Sequence, residues 1–566
     1  GRNTPSGAVS IKSVRPDHEG TGFIEASYGD YDLLSASGAI SLSAIDNVLA
    51  FRATGFIMER DGYISDVALG DDKMNDRDRW GTRLQALWTP TDDLSVLVIA
   101  DYSEIDETCC GTGTWRNNFE ADSLPPGSEP KYGTDTWVRD QLGGNVLPAG
   151  DFYDYEVAVS FLPESQSEDA GLSVQLDWDT DLFTFTSITA YREFDAYDNI
   201  DADFLDIDAL VRVNDAEQTQ FSQEFRISND YERLSYVAGL YYFNQELDSV
   251  TDTLVGEDTS GLVTGLLGFP VPPIAFPAGT GSRNVATQDN DSYAVFGQLD
   301  FNLTDTLILT AGLRWTKEEK DMQNIFTEDA SDELDFSSPG WGFWLFPPLA
   351  PREDVDEKID DDQTTGTIKL SWYATDEIML YASYGTGYKA GGVNTDRIDP
   401  SLDVVFDAET ADSYEIGMKA DFPAQAMRLN VAVHRTDTDD LQTISFQGTG
   451  FALQNAGVAE TQGVEVDLSW QPLQPLTLQL AYAWNDAEYA DFEDGDCWIG
   501  TPWHTGQADP KDNGDGSCDR SGGMLSANTE HSAFVSGNWE FNLGSEFSGY
   551  LYGEYSYSDE RMTDVN

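Results

Sequence analysis

Two arms around one short turn decide the fold: Gly463-Val464-Glu465-Val466-Asp467-Leu468-Ser469-Trp470, then Leu476-Thr477-Leu478-Gln479-Leu480-Ala481-Tyr482-Ala483-Trp484. In the first arm Val464, Val466, Leu468 and Trp470 alternate with Gly463, Glu465, Asp467 and Ser469. In the second, Leu476, Leu478, Leu480, Tyr482 and Trp484 alternate with Thr477, Gln479, Ala481 and Ala483. A period of two on both arms places alternate side chains on opposite faces, which predicts a β-hairpin.

The same unit recurs along the chain, with short polar turns near Asp46, Asp92, Asp179, Asn229, Leu303, Thr375, Pro423, Leu473 and Asn542. Each arm runs roughly eight to ten residues, the length a tilted strand needs to cross a bilayer. The turns take about three to five residues and the connections between hairpins roughly 20 to 65, so one rim is tight and the other carries long loops. Turn spacing varies from about 45 to about 90 residues, which does not fit the regular blade period of a propeller. An up-and-down barrel tolerates any loop length on one side. No run of 18 apolar residues exists, since the longest, Gly261 to Pro277, is interrupted by Gly and Pro. A membrane role therefore falls to strands.

An aromatic residue precedes six of the short turns: Trp88, Trp178, Phe301, Trp372, Trp470 and Trp539. Six rings at one height form the girdle expected at a membrane interface. The alternative is that they are core aromatics of a soluble sheet. Against it, the row alternating with the apolar one is polar and often charged (Arg83, Asp177, Asp300, Arg314, Lys369, Glu465). Apolar outside and polar inside describes a water-lined barrel. Nine hairpins supply eighteen strands, and Gly22 to Tyr28 adds one before the first.

Composition narrows the function. The chain has 566 residues and a formal net charge of −71, from 102 Asp and Glu against 31 Lys and Arg. Such a surface cannot neutralise phosphates in bulk, which excludes nucleic acid as a partner. The apolar fraction of 40% is ample for an ordered body, so the acidity does not signal disorder. Four Cys in this length do not make a disulfide scaffold.

Several segments bring a family into view. Gly1-Arg2-Asn3-Thr4-Pro5-Ser6-Gly7-Ala8-Val9-Ser10-Ile11 resembles the last plug strand of TonB-dependent outer-membrane receptors. Tyr28-Gly29-Asp30-Tyr31 resembles their first barrel loop, and Arg60-Asp61-Gly62-Tyr63 the start of the next. Further resemblances are Glu224-Phe225-Arg226-Ile227-Ser228, Gly312-Leu313-Arg314-Trp315-Thr316, and Gly387-Tyr388-Lys389-Ala390-Gly391-Gly392-Val393-Asn394. Glu409-Thr410-Ala411-Asp412-Ser413-Tyr414-Glu415-Ile416-Gly417 and Asn455-Ala456-Gly457, followed by Gln462-Gly463-Val464-Glu465, complete the series. Each motif alone is weak, but their order runs along nearly the whole chain.

The resemblance implies an all-β, transmembrane, antiparallel up-and-down β-barrel. The family has about 22 strands, of which about 19 are expected here, with most of the plug domain and the TonB box absent. On this reading residues 1–16 are the end of a plug domain, residues 17–566 are an incomplete barrel, and the chain, which opens on Gly1, is a processed or truncated piece. The implied location is the outer membrane of a Gram-negative bacterium. The implied partners are TonB, the lipid bilayer with its lipopolysaccharide, and a ferric siderophore or other nutrient. A wide lumen needs a plug. With no phosphate-binding loop in the sequence, energy has to arrive from elsewhere, and the resemblance implies the inner-membrane proton-motive force. Import of an iron complex is the leading expectation. Uptake of a carbohydrate or other organic ligand, and a passive porin-like channel, are the alternatives.

Four long-loop segments are candidate ligand contacts: Trp115 beside Cys109 and Cys110, Leu262 to Phe276, the cluster Trp341, Phe343, Trp344 and Phe346, and the loop with Trp498, Trp503 and His504. Loop aromatics suit stacking on sugar rings or chelates. Their alternative role is to pack loops together over the mouth, with the Trp341 cluster against the loop of Phe269 and Phe276. Cys497 and Cys518 share one loop, and a bond between them is expected in an oxidising compartment, contributing roughly 3 kcal/mol. Cys109 and Cys110 either close on each other or pair with the other two. No Cys-x-x-Cys or paired His accompanies them, so no metal centre is expected. A haem ligand would fall to His504. Asp512-Asn513-Gly514-Asp515-Gly516 and Glu353 to Asp362 are acidic runs, with solvated loop the default and divalent-ion binding the alternative. No nucleophile elbow or zinc-protease motif occurs, so no catalytic residue is assigned, and no cofactor is expected.

Overall fold

The computed structural model describes residues 10–112, 137–147, 153–267, 269–330, 334–346, 349–398, 403–446, 451–493, 495–496, 511, 513, 517–544 and 547–562. Nineteen strands form one antiparallel sheet. They are β1 (Gly22–Tyr28), β2 (Leu34–Ile45), β3 (Leu49–Arg60), β4 (Arg77–Thr91), β5 (Leu94–Glu107), β6 (Glu164–Asp179) and β7 (Thr184–Asp201). There follow β8 (Leu210–Asp230), β9 (Leu234–Val255), β10 (Gly281–Thr304), β11 (Leu307–Glu328), β12 (Val355–Tyr373) and β13 (Ile378–Lys389). The last are β14 (Glu409–Phe422), β15 (Met427–Phe446), β16 (Phe451–Leu473), β17 (Leu476–Asp491), β18 (His531–Leu543) and β19 (Phe547–Ser558). Each pairs with the next in sequence, as an up-and-down meander requires. All nine expected short turns fall between successive strands, and β1 spans the expected Gly22 to Tyr28. Among the described residues β1 and β19 pair on one edge only. An open backbone edge is not tolerated against hydrocarbon, so that seam has to be sealed in the bilayer.

The segment before β1 identifies the inner face. Arg83 Nη1 donates to Ser13 Oγ at 2.5 Å, Gln85 Nε2 donates to the Val14 carbonyl at 3.0 Å, and Arg15 lies 3.9 Å from Asp177. Cross-strand register carries this face onward through Asp177, Thr186, Arg226, Gly239, Phe296 and Arg314. Residues of opposite parity face out. They include Leu313 and Ile416, 63% and 60% exposed, which no water-soluble sheet would present in rows. Val464, Val466 and Leu468 belong to this outer set and are half-exposed, not buried in a packed core. No described helix is long and apolar enough to cross a membrane.

Outside, the six girdle aromatics lie one to four residues from the short-turn rim and are 38–54% exposed. Their register is regular. Val96 faces Trp88 and Leu94 faces Trp178, Leu309 faces Phe301 and Leu307 faces Trp372, and Leu478 faces Trp470 and Leu476 faces Trp539. Each ring is thus offset by the same two-residue step from its neighbour across one strand, so the rings keep one layer around a tilted sheet.

Apart from β1, with 7 residues, the strands are longer than the expected eight to ten, and β10 reaches 24. The reason is visible on their outer face. Above the apolar span the outward positions become carboxylates while the ladder continues, so the sequence alternation ends before the strand does. The loops shorten correspondingly. The β11–β12 connection is confined to residues 329–354 and the β7–β8 connection to 202–209.

Candidate functional site

On the long-loop rim several connections pack into one lobe. The β9–β10 connection forms helix α1 (Thr259–Leu267) and a 3₁₀ turn, Pro273–Ala275. The β11–β12 connection contributes a second 3₁₀ turn, Trp341–Leu345. Phe276 and Phe343 stack with centroids 6.0 Å apart and, with Trp341, Val271, Leu349, Leu210 and Val255, form a buried cluster. Gly265 of α1 permits close approach of another connection. A Cβ there would sit 2.6 Å from the Trp137 ring, whose Nε1 donates to the Gly261 carbonyl at 2.7 Å.

This packing divides the expected aromatic cluster. Trp341 and Phe343 are 5% and 0% exposed and are held in the lobe against Ala275 and Phe276, the geometry of the packing alternative. Phe346 packs at the edge of the same cluster. Trp344 is 42% exposed and borders a cleft of about 640 Å³. Trp115, Cys497, Trp498, Trp503 and His504 lie outside the described residues.

The far wall of the cleft comes from the β13–β14 connection, whose residues 390–398 and 403–408 fold across the inner face as a strap. Its ties reach five strands. Lys320 on β11 donates to the Gly391 carbonyl, and Asn324 donates to that of Thr395 at 2.7 Å. Arg212 on β8 pairs with Asp396 at 2.6 Å. On β16, Asn394 and Leu453 exchange two bonds of 2.8 and 2.9 Å. Gln442 on β15 donates to the carbonyls of Ala390 and Asp407, both at 3.0 Å.

Arg397 is the hub. Its guanidinium donates to Asn284 Oδ1 on β10 at 2.7 Å, to the carbonyls of Ala350 at 2.6 Å and Thr327 at 2.8 Å, and lies 3.4 Å from Glu328. It also sits 5.2 Å over the Phe326 ring. Burial pulls its pKa down to about 10, partly offset by Glu328, so it stays charged at neutral pH. Sequence reading gave no signal for Arg397, because its five acceptors, the Arg283 carbonyl at 3.3 Å among them, come from three separate stretches of chain.

A second buried polar cluster lies beside the strap. Asp201, at the top of β7, accepts from the Ser160 backbone and hydroxyl at 2.7 and 2.9 Å. Asp203 accepts from the Leu210 and Leu205 amides at 2.6 and 3.0 Å. Burial, then the neighbouring Asp201 charge, pushes the Asp203 carboxyl up to about 8. Of the cysteines, Cys109 and Cys110 are bonded to each other, and Cys518 is buried and disulfide-bonded. Among the described residues no three His, Cys, Asp or Glu side chains gather to hold a metal. Glu353 to Asp362 is instead mostly strand, with Asp360 3.3 Å from Lys317.

The outer face shows a second belt that sequence reading missed. Outward Tyr102, Tyr191, Tyr242 and Tyr384 donate to Glu168, Glu193, Asp291 and Asp412 at 2.6–2.8 Å. The indoles of Trp80 and Trp315 donate to Glu104 and Asp362 at 3.1 and 3.2 Å. Apolar body below and anchored polar tip above suit a membrane–water interface. On β10, eight residues separate Phe301 from Tyr293, so the apolar band between belts is about 20 Å tall at strand rise and usual tilt.

Comparison with known proteins places this architecture. Residues 112–566 match the family of TonB dependent receptor-like β-barrels. The chain belongs to that family, whose members are non-enzymatic transporters of the Gram-negative outer membrane. It is 27% identical over 206 residues to the pesticin receptor of Yersinia pestis, covering 36% of this chain and 26% of that protein. It is 24% identical over 204 residues to the probable TonB-dependent siderophore receptor PiuA of Acinetobacter baumannii, 35% of this chain and 24% of the relative. The aligned part is thus about a quarter of these relatives' length. Among solved structures, the ferric yersiniabactin uptake receptor FyuA of Y. pestis superposes with a TM-score of 0.69 at 17% identity, covering 96% of this chain and 69% of that one. PiuA of A. baumannii gives 0.66 at 15% identity, over 98% and 73%. These two likenesses establish the shared fold.

Proposed function

We propose that this protein imports an iron chelate across the outer membrane, with energy delivered through TonB. The observation that carries the reading is the mouth. A strap tied to five strands crosses the inner face and leaves a cleft of about 640 Å³, small-molecule size, beside an exposed Trp. A passive channel gains nothing from such a strap, whereas a receptor needs a preorganised surface to capture a scarce ligand. Support for iron comes from the relatives, which include a siderophore receptor and a ferric yersiniabactin receptor. The carboxylates over the upper belt face the headgroup layer, the level of lipopolysaccharide. The test is deletion of the gene, with growth under iron limitation and binding of ferric chelates to isolated outer membranes. Loss of both supports the reading. Unchanged growth and binding, with expression indifferent to iron, refutes it.

A further inference from the structure

The lipid-facing band carries one polar island. Between the girdle and the upper belt, the described outward positions hold apolar side chains or Gly, with two exceptions. One is Thr82, whose hydroxyl donates to the Thr54 carbonyl at 3.2 Å. The other is on β7 and β8. Register from the inward Thr186 and Arg226 turns Ser187, Thr189 and Gln223 toward lipid. Ser187 and Thr189 lie two and four residues above Phe185, which faces the girdle residue Trp178. They therefore stand about 5 and 10 Å into the apolar band at strand rise and usual tilt. The flanking strands show Leu176 and Val174 on β6 and Leu240 on β9 at these positions.

The three polar side chains are joined. Thr189 Oγ1 donates to Gln223 Oε1 at 2.6 Å, and Gln223 Nε2 donates to Ser187 Oγ at 3.1 Å and to the Glu224 carbonyl at 3.2 Å. Both amide protons of Gln223 are used. Its Oε1 accepts one bond and keeps a second lone pair, and the Ser187 O–H has no acceptor among the described residues. Hydrocarbon satisfies neither, and an unpaired polar group there costs free energy. Aromatic rings frame the island. Phe185 and Phe225 stack at 6.1 Å on the girdle side, and Phe221 and Tyr242 lie 6.2 Å apart on the side of the upper belt. Phe221 and Phe225 are 37% and 43% exposed. Aromatics around a small polar centre are the anatomy of a protein contact.

We infer that this face of β7 and β8 is a contact between two copies of the chain within the outer membrane. A partner has to bring one acceptor and one donor into the apolar band, which a lipid tail cannot do. The island itself presents both. Across a two-fold axis, Ser187 of each copy donates to Gln223 Oε1 of the other, and the two bonds close all four open positions. Above the belt, Glu193, Asp195 and Glu217 also face outward on these strands and meet their counterparts in such a pair. Their repulsion is screened by salt, so the contact should tighten as ionic strength rises.

The test is cross-linking in outer membranes, with the full-length protein and each variant expressed at low level from the protein's own gene. Phe225→Cys places a thiol directly across from Ser187, and Leu313→Cys places one on β11, 63% exposed and away from the island. A short bis-maleimide should link Phe225→Cys into a product of twice the mass and leave Leu313→Cys monomeric. Raising the salt should increase that yield. Adding Gln223→Leu to Phe225→Cys should lower it about tenfold, the size of two hydrogen bonds at bilayer strength. Ser187→Ala, which removes only the open hydroxyl, should act in the same direction. Heat-modifiable migration matching the parent identifies the variants as folded barrels. No product from Phe225→Cys, or as much from Leu313→Cys, would overturn the contact. A product of another mass would overturn the second copy in favour of a different partner. A yield that falls with salt, or that neither Gln223→Leu nor Ser187→Ala changes, would overturn the two-fold arrangement around the polar centre.

Discussion

Arg397→Ala should release the strap while leaving the barrel intact. The substitution removes the donors serving Asn284 Oδ1, the Ala350 and Thr327 carbonyls and the Glu328 carboxylate, and the cation over Phe326. Truncating one partner of a buried charged pair costs about 3–5 kcal/mol. The lower end applies here, because Glu328 is 13% exposed and water can reach it once the guanidinium is gone. About 3 kcal/mol corresponds to a rise of roughly two decades in the local opening constant. The strands that the strap ties hold their own backbone ladders, so the opening should stay local. Hydrogen-exchange mass spectrometry on detergent-solubilised protein reads this directly. Peptides within 390–398 and 403–408 should lose roughly a hundredfold protection, while those in β10 and β11 keep theirs. Arg397→Lys should fall between, since an ammonium keeps the charge but loses the planar fork. Strap exchange within threefold of the parent would refute the assignment of Arg397 as the hub.

Other outcomes follow from the same geometry. The folded pKa of Asp203, about 8, lies above its unfolded value. The folded state therefore binds more protons between about pH 4 and 8, and the 202–209 loop should be most protected at the acid end and lose protection as pH rises through 8. Asp203→Asn should flatten that profile, and an unchanged slope would show that another group titrates. Cys518 is bonded, and non-reducing peptide mapping should recover it joined to Cys497; recovery with Cys109 or Cys110 would contradict both that pairing and the Cys109–Cys110 bond. Lipids brominated near the headgroup should quench the fluorescence of single-tryptophan variants at Trp88, Trp178, Trp372, Trp470 and Trp539 to similar extents. A spread of quenching like that of mid-chain and aqueous positions together would dissolve the girdle.

Fold was legible wherever one face meets lipid and the other water. The turn near Leu473 and the strand Gly22–Tyr28 were readable because alternation begins and ends sharply there. Strand length was not, because Asp289 and Asp291 continue β10 above the bilayer, where both faces are polar and period two disappears. The upper belt escaped notice for a related reason. Tyr102 and Glu168 are far apart in sequence and meet only through the β5–β6 register. At the mouth, sequence reading found the aromatic cluster but not its division. Composition cannot tell Phe343, packed on Phe276, from Trp344, presented at the cleft. The strap was visible only as the motif from Gly387 to Asn394, and its ties to β8, β10, β11, β15 and β16 require the curvature of the sheet.

The most direct test of TonB-driven import separates binding from transport in the same cells. Cells expressing the gene are supplied with a radiolabelled ferric chelate that they bind, with and without a protonophore, and in parallel with TonB deleted. The account predicts that surface binding persists in all three conditions, while accumulation inside the cell stops when the proton-motive force or TonB is lost. Accumulation continuing at the same rate without TonB would contradict active import and make the barrel a passive route.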